Sequence, residues 1–263
     1  MIKNAGSNVE RAIERALSEK SFRVNYQPIF DSEENRIVSC EALIRLFDKQ
    51  LGNIPPDEFI PIAEQNGSIM KIGKFVFEEA CRFMRKGSAT ALGIEYVQVN
   101  LSVVQCMQSG LVESFVNIMD KYKIDPSQIC LEITETSAAY TPHIMEQNIK
   151  QLSEIGIKLA LDDYGTGYSN MSYLLNLPFR FIKLEKEIVW KSLENEKARI
   201  AIESTIAMIK KLNMKIVAEG AETSEQVRML LDMNCDFIQG NYFPSLWKRR
   251  SFLKLLKALV YVK

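Results

Sequence analysis

One histidine, His143, is all the imidazole in 263 residues, and the five cysteines (Cys40, Cys81, Cys106, Cys130 and Cys235) contain no CxxC pair. A zinc site or a disulfide framework is therefore not expected. Buried apolar thiols in a reducing cytoplasm fit the spacing. Net charge is missing too: 33 basic residues balance 33 acidic ones. No domain-wide surface for a DNA or RNA polymer is expected, and local charge must meet any anionic ligand. There is no run of about 18 apolar residues that would cross a membrane. The N-terminal MIKNAGSNVERAIERAL lacks the apolar core of a signal peptide and reads as a short amphipathic helix. The chain thus reads as cytoplasmic, although a longer parent protein can be membrane-anchored. No low-complexity linker, internal repeat or domain boundary interrupts it, so residues 1–263 read as one domain.

What is present is alternation. Short apolar, β-branched runs stand at 22–30, 37–46, 95–101, 129–135, 157–163, 179–184, 215–219 and 235–239. From the third onward, helical patterns separate them, as at 194–212 and 224–233. Such alternation predicts parallel strands with helical crossovers. Eight of them in a chain of this length predict a TIM-like (β/α)8 barrel, an α/β fold. The first two runs are joined only by the turn-rich Asp31–Arg36. That is too short for a crossover, so an antiparallel first strand is expected. The basic, apolar C-terminal stretch WKRRSFLKLLKALVYVK reads as the helix that closes the barrel.

Polar residues interrupt or close these runs: Glu41, Asn100, Glu132, Asp162, Asp163, Lys183, Glu219 and Gln239. Charge in such strands is costly to bury unless it is paired or metal-bound. In a parallel barrel the C-terminal strand ends meet on one face, where catalytic residues are placed. Five carboxylates would converge there, and Lys183 offsets only one. All-oxygen ligation favours Mg²⁺, Mn²⁺ or Ca²⁺ over zinc. The adjacent Asp162 and Asp163 suit two ions about 3.5–4 Å apart, a recurrent device for displacement at phosphorus. Taken singly, each carboxylate reads more often as a solvated rim group or an ion-pair partner, and Asn100 and Gln239 read as loop caps. Recurrence on strand after strand is what singles them out.

The segments YQPI, EALIR, PPDEFIPIAEQNG, VNLS, LEITET, DDYGTGYSNM, LPFRFIKLE, VAEGAET and CDFIQG resemble those of the EAL domain family, in the family's order and over nearly the whole chain. The resemblance implies a metal-dependent phosphodiesterase that hydrolyses cyclic di-GMP to linear 5′-pGpG, with a catalytic set of Glu41, Asp162, Asp163, Lys183 and Glu219. It implies that Glu41, Asn100, Glu132 and Asp162 hold one Mg²⁺ or Mn²⁺. Asp162, Asp163 and Glu219 surround the second ion, with Gln239 at the metal site. Ca²⁺ is expected to bind and inhibit. Lys183 matches a lysine that contacts the hydrolytic water. Gln27 and Leu43 match guanine contacts and Arg45 a phosphate contact. Glu135 matches a glutamate that holds the loop after the fifth strand, and Glu222 supports the seventh-strand site. A homodimer, and GGDEF-type or other regulatory domains in the parent protein, are also implied.

The sequence departs from the family pattern in places. KLE replaces KID, so Glu185 stands for an aspartate, and the extra methylene bears on a contact beside the site. QGNYFPSLW is atypical, with Asn241, Pro244 and Leu246 the odd residues at the pocket border. A cyclic di-GMP receptor without activity and a protein-interaction module are the competing functions; the complete carboxylate set favours the enzyme. His143 reads as a surface residue with no catalytic role, and Trp190 and Trp247 read as packing residues.

Overall fold

The computed structural model describes residues 2–85, 89–139, 142–165, 172–243 and 247–248. Helix α1 (Ile2–Glu19) precedes a hairpin of β1 (Arg23–Asp31) and β2 (Arg36–Asp48), extended by a short β3 (Gly52–Ile54). Helices α2 (Pro56–Gln65) and α3 (Ile69–Met84) then cross to β4 (Tyr96–Asn100). Next come α4 (Val103–Cys106), α5 (Leu111–Tyr122), β5 (Ile129–Thr134), α6 (Glu135–Ala139), α7 (His143–Glu154) and β6 (Lys158–Tyr164). The chain continues through α8 (Ser172–Asn176), β7 (Phe181–Leu184), α9 (Lys186–Glu194), α10 (Glu196–Lys211), β8 (Lys215–Ala218), α11 (Ser224–Asp232), β9 (Phe237–Gln239) and β10 (Trp247–Lys248).

The strand order β1-β9-β8-β7-β6-β5-β4-β2 closes through the β1–β2 pairing, giving an eight-stranded barrel. The strand β1 runs antiparallel to both of its neighbours, and the other barrel pairings are parallel. All eight expected strands are present, with ends that move by one or two residues; of these shifts, two fall on site residues: Glu135 opens α6 rather than closing β5, and Glu219 stands one residue past β8. Two features were not expected from the sequence. The β2–β4 connection is a two-helix crossover, and β3 and β10 add edge pairings. The expected C-terminal closing helix beyond Lys248, residues 166–171 of the DDYGTGYSNM segment, and Pro244 and Leu246 lie outside the described residues.

The barrel interior follows the strand period of two. Ile29, Val38, Tyr96, Cys130, Ala160, Phe181, Val217 and Phe237 form one buried cluster, with a residue from each barrel strand. Two residues on, β4, β5, β6, β7 and β9 carry Gln98, Glu132, Asp162, Lys183 and Gln239, and Glu219 follows directly after β8. In the reversed β1, Gln27 stands two residues before Ile29. An apolar plug therefore fills the lower barrel and a polar layer lies above it. All five cysteines are buried and free; burial pushes the Cys81 thiol up to about 12. His143 is exposed at the start of α7.

Candidate active site

Local capping sets the strand ends that carry the polar layer. After Asn100, Ser102 caps α4 in a reciprocal box with Gln105. After Lys183, the Glu185 carboxylate accepts from the Glu187 amide at 2.7 Å and starts α9. After Glu219, Thr223 and Gln226 form the capping box of α11. Each cap satisfies amides that a helix start leaves unpaired, so the chain turns at a defined residue beyond the strand. The glutamate at 185 is thus a helix cap.

The Lys183 side chain is only 1% exposed. Its Nζ lies 2.8 Å from Glu219, 2.9 Å from Glu132, 3.2 Å from Asp162 and 3.4 Å from Glu41. Four strands thus deliver four carboxylates to one ammonium. Burial alone would lower the lysine pKa, but the four acids hold it well above its ordinary value. Glu41 also accepts from Asn100 Nδ2 at 2.7 Å and Gln239 Nε2 at 2.7 Å. Burial would raise its pKa; Lys183 and these two amides outweigh that and hold it below the usual carboxylate range. Gln239 also donates to Gln27 at 3.2 Å.

Negative charge is in excess here, and it shows at the acids with fewest donors. Burial and Glu41 push Glu132 well above its ordinary pKa. Burial, with Asp162 and Glu41, lifts Glu219 to about 7 against the pull of Lys183. Asp163 rises to about 6 through burial and its neighbour Asp162. Its φ of +57° is left-handed, a rare conformation for a non-glycine residue. Both oxygens of Glu132 and Oε1 of Gln239 are buried without a hydrogen-bond partner; the Glu132–Lys183 approach is a charge contact without hydrogen-bond alignment. Orphaned acceptors in an all-oxygen, negatively charged layer fit a hard divalent cation. Among the described residues no three acids are gathered into a ready cage; four of them instead contact the Lys183 ammonium.

The Glu135 carboxylate accepts from the Gly165 amide at 3.0 Å and from the Tyr173 hydroxyl at 2.5 Å. It therefore ties the residue after β6 to α8. Arg45 is half-buried and donates to the Ile44 carbonyl at 2.7 Å. The Glu222 side chain is exposed and accepts from Asn241 at 3.3 Å.

Two cavities flank the acids and share Glu41 and Leu43. The larger, about 550 Å³, is walled by Arg45, Pro56, Ile60, Asn100 and Glu132, among others. The smaller, about 300 Å³, is walled by Gln27, Asp162, Lys183, Trp190 and Glu219, among others. Trp190 is not the packing residue expected from the sequence: it is 37% exposed at the mouth. The side chain of Trp247 lies outside the described residues. Sequence reasoning also missed Gln98, which is fully buried with both amide atoms unpartnered. Its place two residues before Asn100 was the available signal.

A family model described as EAL domain matches residues 10–245. The chain is 34% identical over 232 residues to the oxygen sensor protein DosP of Escherichia coli, covering 88% of this chain and 29% of that protein. It is 34% identical over 228 residues to the bifunctional diguanylate cyclase/cyclic di-GMP phosphodiesterase MucR of Pseudomonas aeruginosa, covering 87% and 33%. The chain therefore spans a third or less of these relatives. Among solved structures, the PaMucR phosphodiesterase in complex with c-di-GMP aligns with a TM-score of 0.88 at 32% identity, covering 94% of this chain and all of that one. The EAL enzyme Bd1971 in its cAMP- and cyclic-di-GMP-bound form aligns with a TM-score of 0.90 at 28% identity, covering 97% and 70%.

Proposed function

The chain belongs to the EAL domain family, and on that premise we propose that its barrel mouth hydrolyses cyclic di-GMP to linear 5′-pGpG with two Mg²⁺ or Mn²⁺ ions. The observation that carries this reading is the convergence of Glu41, Glu132, Asp162 and Glu219 on Lys183. Glu41, Asn100, Glu132 and Asp162 would hold one ion. Asp162, Asp163 and Glu219 would hold the other, with Gln239 fixing Glu41 and Glu222 supporting the site at the end of β8. When bound, such ions acidify a water and offset charge on the phosphate.

The chain's own groups do the rest. The ammonium of Lys183, already cationic and buried, orients the attacking water and steadies the carboxylates around it. The water oxygen bonds to phosphorus as the water gives up a proton, the P–O3′ bond breaks, and the 3′ oxygen takes up a proton and leaves as a hydroxyl, so that one water is consumed. Arg45 takes a phosphate oxygen through its guanidinium fork. Gln27 and Leu43 contact guanine. Glu135 holds the start of the loop after β6 against the site.

We read residues 1–263 as one domain of a longer signalling protein, on the pattern of its longer relatives, with a homodimer and regulatory domains as its expected partners. Among the described residues no helix is long and apolar enough to cross a membrane. The test is incubation of the purified chain with cyclic di-GMP and Mg²⁺ or Mn²⁺, with the product identified by mass. Linear 5′-pGpG supports the enzyme. Tight binding without product would make the chain a receptor, and neither outcome would leave only a protein-interaction module.

A further inference from the structure

We propose that Trp190 is a stacking shelf for one purine base of the substrate, an inference that rests on the cyclic di-GMP reading. A cyclic dinucleotide carries its two bases on opposite sides of the phosphate ring. With a phosphate over the carboxylates, one base falls to each cavity that diverges from Glu41 and Leu43. Among the described residues that wall the smaller cavity, Trp190 is the sole aromatic. The remainder are polar, small or aliphatic, and a purine face needs a flat apolar partner.

The ring is pre-set for that task. Trp190 lies one helical turn after Lys186 on α9, on the same helix face. Its Nε1 donates to the Gly220 carbonyl at 2.8 Å, directly beyond Glu219. An indole packed in a core would satisfy its N–H and bury its ring. Here the N–H is satisfied while the residue stays 37% exposed beside the cavity. Gly220 permits the approach: its φ is +74°, and a Cβ there would lie 2.4 Å from Lys186 Cβ and 3.2 Å from the indole nitrogen. The Lys186 ammonium sits over the ring, 5.8 Å from its centroid, which further fixes the indole and leaves its other face for a base. Fixing the ring beforehand lowers the entropy that binding costs.

Base–aromatic stacking of this kind is worth about a tenfold or greater change in affinity on truncation to alanine. The sequence has two tryptophans, Trp190 and Trp247, so Trp247→Phe leaves Trp190 as the single indole reporter. In that variant, with Ca²⁺ replacing Mg²⁺ to suppress turnover, cyclic di-GMP should quench the Trp190 emission. In the otherwise wild-type chain, Trp190→Ala should raise Kd and KM by about tenfold or more with kcat little changed, and Trp190→Phe should recover most of that loss. Unchanged emission at saturation, or a Trp190→Ala variant that binds as tightly as wild type, overturns the shelf while leaving the hydrolase reading intact. A wild-type chain that neither binds nor cleaves cyclic di-GMP overturns both.

Discussion

Lys183 Nζ lies 2.8 Å from Glu219 Oε1, inside a barrel mouth where three further carboxylates compete for the same ammonium. One cation cannot neutralise four acids, so some must hold protons when no divalent ion is bound. That gives the fold a characteristic pH response. Glu219 titrates at about 7 and Asp163 at about 6, against about 4 for free carboxyls in an unfolded chain. A raised carboxyl contributes stability that is full below about pH 4 and is lost as pH rises through the folded value. Glu41, held low, acts only at the acid end. The difference in melting temperature between Glu219→Gln and wild type, in EDTA, should therefore grow in favour of the variant from about pH 5 to 8. A constant difference across that window would contradict the excess-charge picture.

Removing the ammonium should be costly in two ways. Lys183→Met leaves three buried acids and the partly buried Glu219 with no counter-charge, and breaking a buried ion pair costs on the order of 3 kcal/mol. Proton uptake by Glu132 and Glu219 reduces that loss at low pH, so the destabilisation should be larger at pH 8 than at pH 5. Turnover should fall by about two orders of magnitude, with KM close to wild type. Denaturant melts at both pH values and steady-state kinetics check this.

Arg45 is assigned to substrate, so its loss should appear in KM. Charged hydrogen bonds are worth about 1.5–3 kcal/mol, which corresponds to a rise in KM of about 10- to 100-fold for Arg45→Ala. Arg45→Lys should recover only part, because a lysine lacks the two-pronged donor. Isothermal titration with cyclic di-GMP in Ca²⁺ separates this from a loss in turnover.

Glu135 is 1% exposed and accepts from both Gly165 and Tyr173. Glu135→Ala leaves those donors without their acceptor, for a loss of about 2 kcal/mol of stability. Because the loop start follows Asp162 and Asp163, turnover should drop with it. Thermal melting, and hydrolysis measured well below the melting range, test the two effects separately.

Much of this arrangement was legible in the sequence, for a physical reason. A carboxylate inside an apolar strand, as in LEITET or LALDDY, has to be compensated, and the C-terminal ends of parallel barrel strands share one mouth. The hairpin was legible because Asp31–Arg36 is too short to cross. The two-helix crossover was less so, since Pro55, Pro56 and Pro61 break the helical pattern, although Pro56 in fact sits at the start of α2. The place of Lys183 at the centre of the acids depends on side-chain reach, which spacing does not encode. The partners of Glu41 are also long-range, with Gln239 being 198 residues away. Trp190 looked like a core residue because tryptophan composition says nothing of which helix face meets Gly220.

Asp162 is proposed to serve both ions, so the rate of cyclic di-GMP cleavage by Asp162→Asn, assayed beside wild type with saturating Mn²⁺, tests the account most directly. Removing one of several clustered like charges should leave metal-free melting unchanged or slightly higher. Cleavage should fall at least about 100-fold, equivalent to about 2.7 kcal/mol of barrier. A folded Asp162→Asn protein that yields 5′-pGpG within a few-fold of the wild-type rate would contradict it.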